Sequence, residues 1–420
     1  MVEAARPRHD MRNDVPSLVI DSERLMGDLR HLAEFGQVGS GVHRRALGDV
    51  DMAARAWLLE RMRAAGLEAE IDGIGNVYGR TLHARRIVIG SHSDTVPKGG
   101  WLDGAMGVIY GIEIARAFME QCVGGDVGLE IISFSDEEGC FSTLLGSRSF
   151  TGELDATVEE AVNEDGLTLG MALERAGLVG RPRLRFDPEI HLAFLEAHIE
   201  QGPVLENQGA RVGVVTAIAG LRGWSIRFVG RADHAGTTPM ALRADAGAAL
   251  CDFAGRFADF CQANGSTHSV WNGGAITLLP GAHNVVPALA EYTLTVRDPS
   301  QDVLDALGAG VAPIASAVAD AHRVSWARAD LFALAPARMD EGLMAEIEAA
   351  ARLHGVEPLL MPSGAGHDAM VMARHVPTAM LFVPSIGGRS HDISEDSDER
   401  DITLGAQIFA EAVSRLCQNL

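Results

Sequence analysis

The chain has 420 residues, of which 47% are hydrophobic and 22% are charged, and its formal net charge is −22 at pH 7. This length predicts two domains with ordinary globular cores. The negative charge argues against nucleic acid or an anionic membrane as a partner, because both would repel the chain. No uninterrupted apolar run approaches the roughly 18–20 residues that a membrane span requires.

The cysteine pattern and the N-terminal residues predict a cytoplasmic protein. The five cysteines are an odd number without metal-type spacing, so we interpret them as reduced thiols. The first residues, MVEAARPRHDMRND, contain no apolar segment of the kind that a secretory signal requires.

Residues 22–65 have apolar side chains at helical spacing. The predicted apolar faces are marked by Leu25, Leu29 and Leu32, and then by Ala53, Trp57, Leu58 and Met62. Two short β-type runs follow, at Glu68–Ile71 and at 77–79.

Two continuous apolar strands are predicted next, and each ends in residues that can bind a metal. The strand at 86–89 runs into His92, and the strand at 129–134 runs into Asp136-Glu137-Glu138, with a helix predicted between them at 108–118. Strands that alternate with helices indicate an α/β fold with a mostly parallel central sheet. Both reactive segments then lie at the carboxyl ends of strands, where open α/β sheets form their ligand crevice.

The pattern changes near residue 213, where few potential metal ligands occur. Strands are predicted at 224–229, 274–279 and 290–296, and helices at 241–261 and 303–321. We therefore predict an inserted α+β domain at 212–329 within a discontinuous catalytic domain formed by 1–211 and 330–420. The catalytic domain resumes with a helix at 341–354, a strand at 378–383 and a final helix at 402–416.

His92 and Asp103 flank a glycine-rich turn, and each has an ordinary alternative explanation. Alternate residues of an extended segment point the same way, so Asp94 could accept the second ring N–H of a metal-bound His92. The alternatives are a histidine that closes a strand and an aspartate that caps a helix.

The adjacent carboxylates Glu137 and Glu138 are harder to explain as structure alone. Two like charges at a partly buried strand end are costly unless cations compensate them. If both enter the crevice, one can bind a metal while the other acts as general base. The alternative is a solvated acidic loop.

Other candidates lie in turns and at strand ends farther along the chain. His198 precedes Gln201 at a predicted strand end, and the alternative for it is a core histidine. His234, His367 and His391 lie in polar or small-residue loops. The alternative for His234 is a surface role and for His391 a solvated loop, whereas the small residues around His367 let a ligand approach closely. The acidic run after His391 is predicted to be a solvated loop.

Arg297 is the best candidate for binding a substrate carboxylate, with Asn284 as a helper, because a guanidinium group can make a bidentate contact. The competing explanation is an ion pair with Asp298.

Seven ordered segments connect these candidates: GSHSDTVPKGGWLDGAMG, DEEG with LGSRSFTG, HIEQGPVLE, GRADHAGTTPM, HNVVP with VRD, SGAGHDA and a late Ser-His. Together they resemble the M20-type dinuclear metallohydrolases, from about residue 21 to the C-terminus. The similar branch contains N-carbamoyl-L-amino acid amidohydrolases, β-ureidopropionases and allantoate amidohydrolases (the hydantoinase/carbamoylase branch).

The resemblance implies a zinc aminopeptidase-like catalytic domain that holds two divalent ions per subunit, Zn²⁺ or Mn²⁺ with Ni²⁺ and Co²⁺ as alternatives. It implies one metal on His92, Asp103 and His198. The other metal would be held by Glu138 and His391, with Asp103 bridging the two.

The resemblance also assigns roles to the remaining candidates. Glu137 would be the general acid/base, and the inserted domain would serve as a dimerisation and lid domain. His234 would stabilise the oxyanion and complete the site of the partner in a homodimer. Residues that would face the substrate are Gln201, His234, Asn284, Arg297 and His367.

Two positions depart from the family pattern: Cys140-Phe141 stands where an arginine–phenylalanine pair is common, and Asp392-Ile393-Ser394 follows the last histidine. Neither touches a proposed ligand. The implied reaction is hydrolysis of a carbon–nitrogen bond other than a peptide bond in a small anionic amide. An N-carbamoyl-L-amino acid would give an amino acid, ammonia and CO₂.

Three other functions are alternatives. An allantoate or other ureide amidohydrolase shares all these residues, and an aminoacylase or aminopeptidase can use the same scaffold. A binding protein without catalysis is the third, and the full set of ligands and base argues against it.

Overall fold

The computed structural model describes residues 18–122 and 125–420, and it divides into two compact units. The first unit comprises the residues up to 216 together with 339–361 and 367–420. The second comprises 217–338 with 362–366. Because the second unit interrupts the first in sequence, we call it the inserted unit.

The elements of the chain follow in order. Up to the inserted unit they are α1 (Ser22–Glu34), β1 (Gln37–Val38), β2 (Gly41–Val42), α2 (Asp49–Ala64), β3 (Glu68–Ile71), β4 (Val77–Arg80), β5 (Arg85–His92), α3 (Ala105–Glu120), β6 (Val127–Phe134), α4 (Leu145–Thr151), α5 (Leu169–Arg175), β7 (His191–Ile199), α6 (Val204–Gln208) and β8 (Gly213–Ile218). Next come β9 (Gly220–Val229), α7 (Ala246–Asn264), β10 (Val270–Leu279), β11 (Leu289–Asp298), α8 (Gln301–His322), β12 (Ser325–Leu334) and β13 (Ala337–Arg338). The chain ends with α9 (Glu341–Leu353), β14 (Leu359–Ser363), α10 (Asp368–Met372), β15 (Thr378–Val383) and α11 (Glu399–Asn419).

The predicted helical stretch at 22–65 is two helices, α1 and α2, with the short strands β1 and β2 between them. On α2 the buried alanine is Ala54, and the predicted Ala53 is exposed. Its buried side also carries Asp51 and Arg55, one turn apart. The apolar periodicity therefore identified the helix and the inner positions Leu58 and Met62, and only Ala53 was placed on the wrong side.

The first unit is built on a mixed sheet whose order is β8-β15-β7-β5-β6-β4-β3, with β14 beside β8. The centre is parallel: β5 pairs in parallel with β6 and β7, and β15 with β7. The flanking pairs β3–β4, β4–β6 and β8–β15 are antiparallel. Strands β6 and β15 are buried along their whole length, which is why they are continuous apolar runs. The predicted α/β fold is confirmed, with antiparallel edges.

The carboxyl ends of three central strands lie at one edge of this sheet. His92 of β5 is paired with Phe134 of β6, and Ile89 of β5 with Leu195 of β7. The segments that follow these strands must therefore meet, as expected for a parallel sheet.

The inserted unit is a four-stranded antiparallel sheet in the order β10-β11-β9-β12. Apolar residues of its strands and of α7 and α8 form one core that includes Phe228, Phe253, Phe257 and Leu307. Helix α8 is long and apolar enough to pass a length and composition test for a membrane span. Its inner side lies in this core, and the core helix of a globular unit passes the same test.

Candidate metal centre

Three parallel strands supply most of the candidate site. His92 is the last residue of β5, Glu137 and Glu138 follow β6, and His198 lies near the end of β7. Asp103 immediately precedes Gly104, the residue that caps α3. His391 belongs to the loop between β15 and α11. The structure thus brings together residues from five separated segments of the sequence.

The carboxylate of Asp103 is the centre of this group. Its Oδ1 lies 3.4 Å from Nε2 of His92 and 3.2 Å from Nε2 of His198. Its Oδ2 lies 3.4 Å from Nε2 of His391, which is 3.7 Å from Oε1 of Glu138. One carboxylate therefore faces imidazoles through both of its oxygens, which is the arrangement that a bridging ligand needs.

The two buried imidazoles are held in the tautomer that a metal requires. Nδ1 of His92 lies 3.0 Å from the carbonyl oxygen of Asp94, and Nδ1 of His198 lies 2.9 Å from the carbonyl oxygen of Ile199. A carbonyl oxygen can only accept, so each Nδ1 carries the hydrogen. Nε2 is therefore the atom of each ring that faces Asp103, and it can donate to that carboxylate when it carries a hydrogen or bind a cation when it does not.

The structure differs from the prediction for Asp94. Its carboxylate is 4.0 Å from Nδ1 of His92, and the backbone carbonyl takes that contact instead. The two carboxylate oxygens accept the backbone N–H groups of Glu137, at 3.5 Å, and of Glu138, at 3.3 Å. Asp94 therefore holds the loop with both glutamates and orients His92 only through its main chain.

Burial raises the pKa of Glu137 well above its usual range, and the neighbouring Glu138 carboxylate adds to this effect. Burial and the nearby Asp103 raise the pKa of Glu138 to about 7. Burial alone would also raise the pKa of Asp103, but hydrogen bonds from His198, His391 and His92 hold it well below the usual value. Nearby positive charge would favour the ionised form of both glutamates.

The donor set fits divalent cations. Single ligand atoms lie within 4.8 Å of one another in three groups: His92, Asp103 and His198; Asp103, Glu138 and His391; and His92, Glu137 and Glu138. Oε1 of Glu138 is buried without a hydrogen-bond partner among the described residues. Imidazole nitrogens and carboxylate oxygens are the ligands that Zn²⁺ and Mn²⁺ accept. The first two groups are the two ligand sets that the resemblance implied.

Two predicted substrate residues of the first unit lie beside these ligands. Gln201 donates from Nε2 to Oδ2 of Asp103 at 2.9 Å, so its amide contacts the central carboxylate directly. The ring of His367 is 4.6 Å from that of His198, centroid to centroid, and is buried. Burial and the nearby His198 lower the pKa of His367 well below its usual value, which favours the neutral form of this imidazole.

The other three predicted substrate residues lie in the inserted unit. His234 pairs with Val285 in an isolated antiparallel bridge, which places it beside Asn284. Arg297, near the end of β11, donates from its guanidinium to the carbonyl oxygen of Gly364 at 2.7 Å. The ion pair between Arg297 and Asp298 was the competing explanation. The Asp298 carboxylate instead accepts the hydroxyls of Ser266 and Ser269.

Sequence reasoning missed a buried ionic network behind the site. Arg55 donates to the Asp51 carboxylate at 2.7 Å and to the carbonyl oxygens of Gly75 and Phe134, and it lies 3.7 Å from the Asp94 carboxylate. The only signal was the spacing of Asp51 and Arg55, which on a helix usually marks an exposed pair. The acidic run after His391, predicted to be solvated, is exposed at Asp392, Asp396 and Asp398, with one exception. Glu395 in that run is only 2% exposed.

Comparisons with known proteins identify the family of this chain. The model of peptidase family M20/M25/M40 matches residues 88–415. The chain is 34% identical over 409 residues to an N-carbamoyl-L-amino acid amidohydrolase of Geobacillus stearothermophilus, covering 95% of this chain and all of that protein. It is 33% identical to an allantoate amidohydrolase of Bacillus subtilis, covering 92% of this chain and 95% of that one.

A solved structure gives the same result for the fold. An amidase of the hydantoinase/carbamoylase family from Burkholderia phymatum matches with a TM-score of 0.92 and 44% identity, over 96% of this chain and 99% of that one. The prediction made from the seven motifs is therefore confirmed. The chain belongs to peptidase family M20/M25/M40.

Proposed function

We propose that the chain hydrolyses the carbamoyl group of an N-carbamoyl-L-amino acid, giving the amino acid, ammonia and CO₂. It is a hydrolase of carbon–nitrogen bonds in linear amides, as its relatives are by name. The observation that carries the proposal is the Glu137-Glu138 pair, which lies beside His92 and His391, two of the three imidazoles that converge on Asp103.

Two divalent cations, Zn²⁺ or Mn²⁺ with Ni²⁺ and Co²⁺ as alternatives, are part of this proposal. His92, Asp103 and His198 would hold one ion, and Glu138 and His391 the other, with Asp103 shared. Ions bound there would supply Lewis-acid activation of the attacking water and of the substrate carbonyl. The raised pKa of Glu138 supports this assignment, since a bound cation removes the cost of ionising that carboxylate.

Glu137 is the proposed proton carrier. Its Oε2 is 3.8 Å from Nε2 of His92, so the carboxylate borders the ligands. A carboxyl group with a raised pKa accepts a proton readily near neutral pH. Glu137 would take the proton of the attacking water and return it to the leaving nitrogen.

The inserted unit would provide the remaining substrate contacts. Arg297 and Asn284 would bind the substrate carboxylate, and His234 would stabilise the oxyanion. Gln201 and His367 would line the same site from the first unit. Charge-assisted contacts of this kind fix orientation, so they would determine which amides are accepted.

We further propose a homodimer in which His234 completes the partner's site and the inserted unit acts as a lid. All ten residues of the edge strand β10 are exposed, including Val270 and Ile276. An exposed apolar edge strand is a surface that a second chain can cover. The free thiols of all five cysteines support a cytoplasmic location.

A panel of N-carbamoyl-L- and D-amino acids, assayed for ammonia with Mn²⁺ or Zn²⁺ added, tests the substrate. We expect turnover of L-carbamoyl compounds and little release from allantoate. The 33% identity to the Bacillus subtilis allantoate amidohydrolase supports allantoate as the second candidate, so allantoate is assayed in parallel. Preferred cleavage of allantoate, or of dipeptides or N-acyl amino acids, would contradict the carbamoylase assignment.

A further inference from the structure

Glu395 lies four residues after His391 in the same loop, and its carboxylate reaches the turn that carries Asp103. Its Oε1 accepts the backbone N–H groups of Leu102, at 3.1 Å, and Asp103, at 3.0 Å. Its Oε2 accepts the hydroxyl of Ser390, the residue before His391, at 2.7 Å. One side chain thus contacts the neighbours of two candidate ligands, although Glu395 and Asp103 are 292 positions apart in the sequence.

The glycine-rich turn before Asp103 leaves space for this carboxylate. A Cβ atom at Gly100 would lie 1.8 Å from Oε1 of Glu395. A Cβ at Gly41 would lie 2.6 Å from Cα of Ile393, so the loop after β15 packs closely at a second glycine. No side chain can therefore stand at Gly100 unless Glu395 moves away.

The hydroxyl of Ser390 connects Glu395 with the centre of the site. Ser390 Oγ lies 2.7 Å from Glu395 and 3.1 Å from Oδ2 of Asp103, and Nε2 of Gln201 lies 3.2 Å from the same hydroxyl. A hydroxyl has a single hydrogen, so it can donate to one carboxylate at a time. When it donates to Glu395, both lone pairs of Asp103 Oδ2 remain for His391, Gln201 or a cation.

We propose that Glu395 is a positioning residue that fixes Asp103 and His391 relative to each other and so sets the affinity of the ion held by Asp103, Glu138 and His391. This inference rests on the proposed metal centre and deepens it. Residues that hold metal ligands in place typically change metal affinity by about 10- to 100-fold when they are replaced. The ion on His92 and His198 should be affected less, because hydrogen bonds to Asp94 and Ile199 orient those rings.

The test titrates metal-free protein with Mn²⁺ or Zn²⁺ by calorimetry and counts retained ions by mass spectrometry after dialysis. The variants are Glu395→Ala and Glu395→Gln, and Gly100→Ala displaces the carboxylate without removing it. Glu399→Gln is the matched control, since Glu399 is an exposed glutamate four residues farther along that pairs with the exposed Arg30. Thermal unfolding of each metal-free variant checks that it folds.

We expect two ions in the wild type and the Glu399→Gln control. In Glu395→Ala and Gly100→Ala, the affinity for one ion should fall about 10- to 100-fold while the other is retained. Glu395→Gln keeps one acceptor oxygen, so it should recover part of the loss. Unchanged affinity of Glu395→Ala for both ions would overturn the inference. Equal loss of both ions together with a lower unfolding temperature would also overturn it, because it would indicate a general loss of stability. The titration needs no substrate, so a failed ammonia panel would refute the proposed reaction and leave this result standing.

Discussion

The carboxylate of Asp94 accepts the backbone N–H of Glu138 at 3.3 Å, so the residue two positions after one histidine ligand holds the loop that carries the proposed base. Its other oxygen receives the N–H of Glu137. An asparagine at 94 would place an NH₂ group against one of these N–H donors, and an NH₂ group cannot accept that hydrogen bond. We expect Asp94→Asn to lower kcat/KM by about 10- to 100-fold with both ions retained. The exposed Asp302→Asn is the control, and equal activity of the two variants would contradict this role.

The pair Glu137→Gln and Glu138→Gln separates the two proposed roles of the double glutamate. Glu137→Gln should keep both ions and lose on the order of 10²–10⁴ in kcat, since an amide cannot accept the proton. Glu138→Gln should instead bind fewer ions, because an amide is a poorer ligand than a carboxylate. Metal content and kcat are measured on the same samples. Near-normal turnover of Glu137→Gln would refute its assignment as the base.

The stability of the metal-free protein should depend on pH in a defined direction. Burial raises the pKa of Glu138 from 4.5 to about 7, and burial with the nearby Glu196 raises that of Asp368 from 3.8 to about 8. The folded state therefore holds protons that the unfolded state releases, so this contribution to stability is complete below the unfolded pKa values and is lost as the pH rises through about 7 to 8.

We accordingly expect the unfolding temperature of metal-free protein to fall as the pH is raised from mildly acidic to mildly alkaline. Saturating Mn²⁺ or Zn²⁺ should raise the unfolding temperature most at the alkaline end, since ions bind the deprotonated ligands and stabilise only the folded chain. Calorimetric scans with and without a chelator measure both effects. If the unfolding temperature of the metal-free protein rises with pH, the predicted direction of this pH dependence is wrong.

Gly104 should not tolerate a side chain. It has a φ of +63°, and a Cβ there would lie 2.4 Å from the ring of His92. We expect Gly104→Ala to reduce the free energy of unfolding by about 1–3 kcal/mol from backbone strain and to displace His92. Denaturant unfolding and metal content measure the two consequences. Gly255→Ala is the control, since a Cβ at that helical position meets no atom within 4 Å.

Arg297→Lys tests the proposed carboxylate contact. Lysine keeps the charge but loses the bidentate geometry, so KM should rise about 10- to 100-fold with a smaller change in kcat. With the wild type, amidation of the substrate carboxylate should raise KM by a similar factor. With the Arg297→Lys variant, the same amidation should raise KM little further. An unchanged KM would remove Arg297 from the site.

The ligands and the parallel strands could be predicted because they lie in continuous apolar runs with histidine or carboxylate residues at their ends. His92, Glu137 and His198 are examples, since strand ends in a parallel sheet share one edge. Asp94 was assigned to the wrong partner, because alternation along a strand gives the direction of a side chain but not the competing backbone carbonyl.

Glu395 could not be predicted from its neighbours. It lies in the run ISEDSDER, where local composition indicates solvent exposure, and the distant segment from Gly100 to Asp103 covers its carboxylate. Asp51 and Arg55 were missed for the same reason, since burial of a helical ion pair depends on β4 and β6 packing over it. Long-range packing, rather than local pattern, determines these polar contacts.

The position of His391 in the sequence has a consequence for biosynthesis. A nascent chain that has emerged as far as residue 216 already contains His92, Asp103, Glu137, Glu138 and His198, but His391 and Glu395 follow only after the inserted unit has been translated. One ligand group is therefore complete about halfway through synthesis and the other only near its end. The same late segment leads into α11, whose buried residues Ile402, Phe409 and Val413 belong to the core of the first unit, so the second ligand group and that core are completed together.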